Sequence, residues 1–315
     1  STIPHLIFMM YQGMFAAITL ALITGAFAER MKFSALILFS VLWLTFVYSP
    51  LAHWVWGGGW IGDTLGALDF AGGTVVHINS AIAAITAAIV IGKRRGHGVE
   101  GMPPHNLPMT MLGAVLLWFG WFGFNAGSAL TSGGLASVAF VTTNTATGAA
   151  VISWLMVEWI QRGKPTALGA VTGAVAGLVA ITPAAGFVSP LSSIIIGIGA
   201  GIFCYVAVNL KHRLGYDDSL DVLGIHGVGG TWGALATGLF ASTSINPAGK
   251  DGLFYGNPPL LGIQAIAVVA TYVFVFVATL IILKIVDRMV GLRVDEEEES
   301  IGLDQSQHGE SGYIF

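Results

Sequence analysis

Two histidines carry the first chemical signal. His77 lies in "GGTVVHINSAIAAITAAIVIGKRR" (residues 72–95) and His226 in "VLGIHGVGGTWGALATGLF" (residues 222–240). Both stretches are apolar and have the length of a membrane span. An ionisable side chain at lipid depth is costly and usually marks a pathway for ions, protons or substrate. One such histidine can simply bond a neighbouring backbone, but two at matching places argue for function. The residues around them are small: Gly72, Gly73, Gly224, Gly227, Gly229 and Gly230. Small residues let helices approach closely, so the two rings are expected side by side. Two adjacent imidazoles cannot both be protonated cheaply. A neutral pair can share one proton, and each ring then offers a donor or an acceptor to a small polar solute. Metal binding is the rival chemistry, but no further His, Cys or carboxylate stands at ligand spacing on these helices.

Aromatic residues come next. Tyr11 and Phe15 are one helical turn apart, Trp56 precedes Gly57-Gly58-Gly59, and Phe124 lies in "WFGFNAGS" with Ser128 one turn on. Singly, each reads as an interfacial or lipid-facing aromatic. Together they could form a cage for a small cation, each ring face contributing about 0.5–2 kcal/mol, with Ser128 adding an oxygen acceptor. Asp69 begins the His77 helix in "LDFAGG" and reads first as an N-cap, its carboxylate spent on backbone N–H groups. Asp217, Asp218 and Asp221 precede the His226 helix and read as capping and loop-ordering residues. Glu29 and Glu158 sit at helix ends and read as structural. Cys204 is the one cysteine, which excludes an internal disulfide and a Cys-based metal site; in its apolar helix it reads as a packed thiol.

The elements that must position these residues are membrane helices. The chain of 315 residues is 55% hydrophobic and only 10% charged, with a mean hydropathy of +0.78; a soluble domain carries roughly 25% charged residues. Apolar runs of span length make the protein helical rather than a barrel. Nine spans are predicted, at 3–27, 34–56, 70–92, 107–128, 135–160, 166–183, 190–212, 222–242 and 259–288. Twelve of the thirteen Lys and Arg residues then fall on one side, Lys250 being the exception. The positive-inside rule makes that side cytoplasmic, the N-terminal side external and the C-terminus internal.

Five spans end with the His226 helix, but only three end with the His77 helix. An odd-numbered unit repeated in series reverses its membrane orientation, which is the inverted-repeat plan of many transporters. The expected organisation is a membrane domain over 1–288, comprising a partial first repeat (1–92), a second repeat (107–242) and a last helix (259–288), followed by a tail over 289–315. Two further helices are expected before Ser1, for eleven spans in all. The tail, "VGLRVDEEEESIGLDQSQHGESGYIF", interleaves Gly291, Leu292, Ile301 and Leu303 with charge, which suits docking on the cytoplasmic face or on a soluble partner.

The stretches "DFAGGTVVHINSAIAA", "PHNLPM", "WFGWFGFNAGSA", "AITPAAGF", "DVLGIHGVGG" and the tail pattern of "GLRV", "EEE", "GLD", "HGE" and Tyr313 together resemble the Amt branch of the Amt/Rh ammonium transporter family, over essentially the whole chain. The resemblance implies an all-α membrane fold of eleven helices with inverted five-helix repeats, nine of them in this chain, and a homotrimer with one pore per protomer. It implies that Trp56, Ser128 and Tyr11 form an outer ammonium recruitment site supported by Asp69. Phe15 and Phe124 would be the stacked pair closing the pore, and His77 and His226 the twin histidines within it. Trp121, Tyr48 and Val222 would line the pore. Tyr11 stands where the family often has Phe.

Bare NH4+ in a low-dielectric pore faces a cost of tens of kcal/mol in the Born limit, and an aromatic cage offsets only a few. The expected mechanism is recruitment of NH4+, deprotonation near Phe15 and Phe124, and passage of NH3 past the histidines, with the proton following by a relay or not at all. Methylammonium is the expected analogue, and a PII-type signal protein the expected partner of the tail. Location in the cell (inner) membrane among lipid, no cofactor, no metal and no nucleic-acid partner complete the expectation. No nucleophile–base pair or phosphate loop points to an enzyme. The alternatives are an ammonium sensor with little flux and a neutral-solute channel for NH3, CO2, urea or water.

Overall fold

The computed structural model describes residues 2–314, apart from the side chain of His212. Apolar stretches of span length fold as helices because each backbone polar group must find its partner inside the segment. Helix α1 (His5–Thr24) leads to α2 (Phe33–Trp43), which widens into a π-helical stretch over Leu44–Tyr48 and continues as α3 (Ser49–Trp56). After a π-helical turn at Trp60–Leu65, the first histidine helix starts as a π-helix over Gly73–Ile78 and continues as α4 (Asn79–Ile91). Then follow α5 (Leu107–Gly127), α6 (Gly134–Arg162), α7 (Ala167–Ile181) and α8 (Pro190–Leu214). The second histidine helix repeats the plan of the first, π-helical over Leu223–Gly227 and then α9 (Val228–Phe240). Helix α10 (Pro259–Val290) and two short tail helices, α11 (Glu296–Ile301) and α12 (Leu303–His308), complete the order.

Local chemistry fixes the ends. The side chains of Asn106, Thr166 and Ser189 accept backbone N–H bonds at the starts of α5, α7 and α8, the usual role of such residues at an N-cap. Gly163 ends α6 in the left-handed region at φ 76°, where a Cβ would be strained. Each of the nine predicted spans corresponds to one continuous helical segment, interrupted by a π-helical stretch in the second span and opened by one in the two histidine spans, with ends displaced by a few residues. Among the described residues, seven segments are long and apolar enough to cross a membrane by length and composition. The two others are α7, a shorter apolar helix of 15 residues, and the stretch from Leu223 to Phe240.

The histidine helices lie at the centre. The Gly73–Ile91 segment is 83% buried over its apolar window, against 11% for Leu107–Gly127. Helix α4 packs against α1 and α10, and α9 against α7, α8 and α10. Helices α6, α7 and α8 form a tight group, because Gly197 sits directly against the Ala146 carbonyl and leaves no room for a Cβ.

The face that carries the basic residues is closed by an ionic network. Arg30 is fully buried and donates to the carbonyls of Ala26, Gly92 and Asp217 at 2.7–2.9 Å. Arg94 grips both Asp217 carboxylate oxygens at 2.9 Å and reaches Glu29 at 3.0 Å. Burial works against the Asp217 charge, but the Arg94 bonds override it and hold the carboxyl at about 2. The tail docks here through Lys32 N–H to Leu292 O at 2.9 Å and Val294 N–H to Arg30 O at 3.1 Å. Asp295 and Glu298 form a capping box on α11. Glu158 bonds the Thr166 N–H and hydroxyl, so it holds the start of α7, as its position suggests.

Candidate functional site

The two π-helical starts meet at the middle of the molecule, where glycine permits it. A Cβ on Gly230 would stand 3.1 Å from the Cβ of His77, and one on Gly227 would stand 3.2 Å from the Cβ of Ala81. This approach brings His226 Nδ1 to 3.2 Å from His77 Nδ1, with ring centroids 5.2 Å apart. Both side chains are buried. Two facing nitrogens at hydrogen-bond distance hold one proton between them. In the neutral pair one ring is therefore the Nδ1–H tautomer and the other carries its proton on Nε2. The Nε2 of His77 is buried with no hydrogen-bond partner among the described residues.

Above the pair, on the side opposite the basic face, the aromatic residues converge. Trp121 stacks on His77 at a centroid distance of 5.3 Å and 20° between planes, and its indole N–H donates to the Thr182 hydroxyl at 2.9 Å. Phe124 lies 6.1 Å from the His77 ring and 4.3 Å from Phe15. Phe15 in turn meets Tyr11 at 4.9 Å and the Trp56 indole edge-on at 5.7 Å. The Tyr11 hydroxyl donates to Phe124 O at 2.7 Å and lies 3.0 Å from Ser128 Oγ. The hydroxyl added by Tyr at this position thus ties α1 to α5.

Asp69 is the cap that its position suggests. Its carboxylate accepts from the N–H groups of Gly72, Gly73 and Thr74 at 2.7–2.8 Å and from the Thr74 hydroxyl. Its backbone oxygen, not its carboxylate, meets the aromatic group, accepting from Trp56 Nε1 at 2.9 Å. One residue therefore orders both the His77 helix and the Trp56 indole.

Two cavities meet at His226. One, of about 220 Å³, is lined by Ile18, Leu22, His77, Trp121, Phe124 and His226 among others. The other, of about 300 Å³, extends toward the basic face past Leu117, Val175, Leu220 and Ile225, again with His226 in its wall. The lining is mostly apolar apart from the two imidazoles and the hydroxyls of Thr110 and Thr172, which bond to the carbonyls of Asn106 and Leu168. Of the residues expected in the pore, His77, His226 and Trp121 come together here, joined by Phe124 of the expected closing pair. Tyr48 and Val222 line neither cavity. Tyr48 is buried in its π-helical stretch with its hydroxyl unpartnered, and Val222 packs against Gly25. The Thr182 hydroxyl was not anticipated; it follows "I" in the "AITPAAGF" stretch, and only the three-dimensional meeting of α5 and α7 reveals its role.

With this geometry in place, the relatives are informative. A sequence model of the Ammonium Transporter Family matches residues 1–313. An ammonium transporter of Bacillus subtilis is 61% identical over 99% of this chain and 77% of its own length. The crystal structure of Saccharomyces cerevisiae Mep2 superposes with a TM-score of 0.88 at 37% identity, covering 94% of this chain and 68% of that one. A structure described as a sensor Amt protein superposes with a TM-score of 0.86 at 34% identity, covering 93% and 74%. The chain belongs to the ammonium transporter family and is a multi-pass membrane protein.

Proposed function

We propose that the protein moves ammonium across the membrane by recruiting NH4+ at the aromatic group and passing NH3 along the apolar cavities beyond it. The observation that carries this reading is the His77–His226 pair, its Nδ1 atoms 3.2 Å apart, with both rings in the wall of one apolar cavity and His226 also in the wall of the next. Trp56, Tyr11 and Ser128 bind the cation, with Asp69 fixing Trp56 and the helix start. Phe15 and Phe124 close the route until the substrate has lost its proton. An apolar passage admits neutral NH3 far more cheaply than NH4+. His77 and His226 give the neutral solute a donor and an acceptor and form a relay for the proton. Trp121 holds the His77 ring; Tyr48 and Val222 shape the pore from behind the lining.

The same reading assigns residues 1–288 to the transport domain and 289–315 to a regulatory tail on the cytoplasmic side of the cell membrane, with a PII-type signal protein as its partner and a homotrimer as the working form. The test is a solid-supported-membrane current on proteoliposomes after an ammonium pulse, beside a His77→Ala/His226→Ala protein. A current that vanishes in the double variant supports the relay. Ammonia uptake without current would reduce the histidines to selectivity. A double variant with wild-type current and selectivity would overturn the reading.

The likeness to the sensor Amt structure favours one second reading, a receptor that binds ammonium with little flux. Saturable ammonium binding without uptake of ammonium or methylammonium in the same vesicles would establish it.

A further inference from the structure

The two histidine helices share a motif that neither half shows by eye. Asp69 precedes His77 by eight residues, and Asp218 precedes His226 by eight. Asp69 Oδ2 accepts from the N–H five residues on, Thr74, at 2.8 Å; Asp218 Oδ2 accepts from the N–H five residues on, Leu223, at 2.7 Å. Both bonds seed a π-helical stretch whose penultimate residue is the histidine (residues 73–78 and 223–227). Both carboxylates are buried. Asp218 therefore stands to His226, from the basic face, as Asp69 stands to His77 from the opposite face.

The halves differ in the donors they give the carboxylate: Asp69 Oδ1 also accepts from the N–H groups of Gly72 and Gly73. Thr74 supplies Asp69 with a hydroxyl donor besides its N–H. The corresponding residue is Leu223, which has none, and Asp218 Oδ1 is buried without a partner among the described residues. An ionised carboxylate with one oxygen unpartnered in a dry site is costly, and neutralisation relieves that cost.

We propose that Asp218 is a positioning residue for His226, and that its ionisation makes conduction depend on the pH at the basic face. This rests on the transport reading above. Ionised, the carboxylate holds the Leu223 N–H by a charge-assisted bond and complements the positive helix start. Protonated, it is a weaker acceptor, and the π-helical turn that aims His226 loosens.

The charged surroundings allow the titration. Lys211 on α8 donates to the Asp218 backbone oxygen at 2.8 Å and pairs with Asp221 at 2.6 Å. Asp221 and Tyr216 stand nearby in the same loop. Asp217, one residue back, is committed to Arg94. Burial pushes the Asp218 carboxyl up to about 6, against the pull of the Leu223 and Val222 N–H groups.

The test is ammonium-driven current in proteoliposomes, stepping the pH on the basic-face side from 8 to 5 with the opposite side held constant. Wild-type current is expected to fall on acidification with a half-point near 6. Asp218→Asn keeps the shape but never ionises, so its current should be flat across this range and reduced roughly tenfold at pH 8. Leu223→Thr adds the kind of hydroxyl donor that Thr74 gives Asp69 Oδ2 and should move the half-point down by about one unit; it decides the matter should Asp218→Asn fail to fold. Wild-type current at pH 8 with no acid limb, or a limb unmoved in both variants, would overturn this proposal alone. Absence of ammonium flux at every pH would overturn the transport reading beneath it.

Discussion

His77 Nδ1 and His226 Nδ1 stand 3.2 Å apart, each on a helix that enters the molecule from the opposite face. A proton between two such atoms belongs to the pair rather than to either residue. Replacing one ring leaves the other with a buried nitrogen and no partner, which is itself costly.

The first prediction follows. His77→Ala and His226→Ala singly should each lower radiolabelled methylammonium uptake by at least roughly tenfold, and the double variant should be no worse than the more damaging single one. Residues that act as a unit show this non-additivity. Additive losses across the three variants would mean that the imidazoles act independently.

The Phe15 and Phe124 rings are 4.3 Å apart and tilted by 31°, with Phe15 only 2% exposed. Truncating Phe15 opens a hole between the aromatic group and the cavity at His77. Phe15→Ala should admit water, read as faster osmotic shrinkage of proteoliposomes, and should weaken selectivity for ammonium over potassium. Unchanged swelling and selectivity would show that the ring does not close the route.

Asp69 receives four donors from three consecutive residues. Asp69→Ala strands the N–H groups of Gly72, Gly73 and Thr74 in a buried site, at a cost of roughly 3–5 kcal/mol. The variant should unfold at markedly lower temperature in detergent, or fail to accumulate. Asp69→Asn retains one acceptor oxygen and should fall between. Wild-type stability in the alanine variant would move Asp69 from the cap to a direct role with substrate.

Much of this architecture was legible because apolar runs bounded by Gly, Pro and charge have few alternatives in a membrane. The nine segments and the facing histidines follow from that constraint, and the Asp69 cap follows from its place before a glycine-rich helix start. The π-helical stretches at Leu44–Tyr48, Gly73–Ile78 and Leu223–Gly227 were not legible. A helix apolar on all sides carries no periodicity from which an extra residue per turn could be read. The link between Trp121 and Thr182 was hidden for a different reason, since it joins α5 to α7 across 61 positions. Tyr48 and Val222, placed in the pore by resemblance, line neither of the two cavities that meet at His226, and family position alone does not say which face a residue turns to a cavity.

The last prediction concerns acid stability and the Arg94–Asp217 pair. The Asp217 carboxyl lies at about 2, below its ordinary value of 3.8. A depressed acid contributes stability that is complete above the ordinary carboxylate range and is lost as pH falls toward the folded value. The side chain is 0% exposed, so the contribution is about 2 kcal/mol. Asp218 works with the opposite sign, since its raised value favours the folded state on acidification below about 6. The raw pH profile of the protein therefore mixes two trends, and the difference between wild type and Asp217→Asn isolates one. That difference in thermal midpoint should be constant from pH 8 to 5 and shrink steadily between pH 4 and 2. A difference that does not narrow in acid would mean that Asp217 holds Arg94 through shape rather than charge.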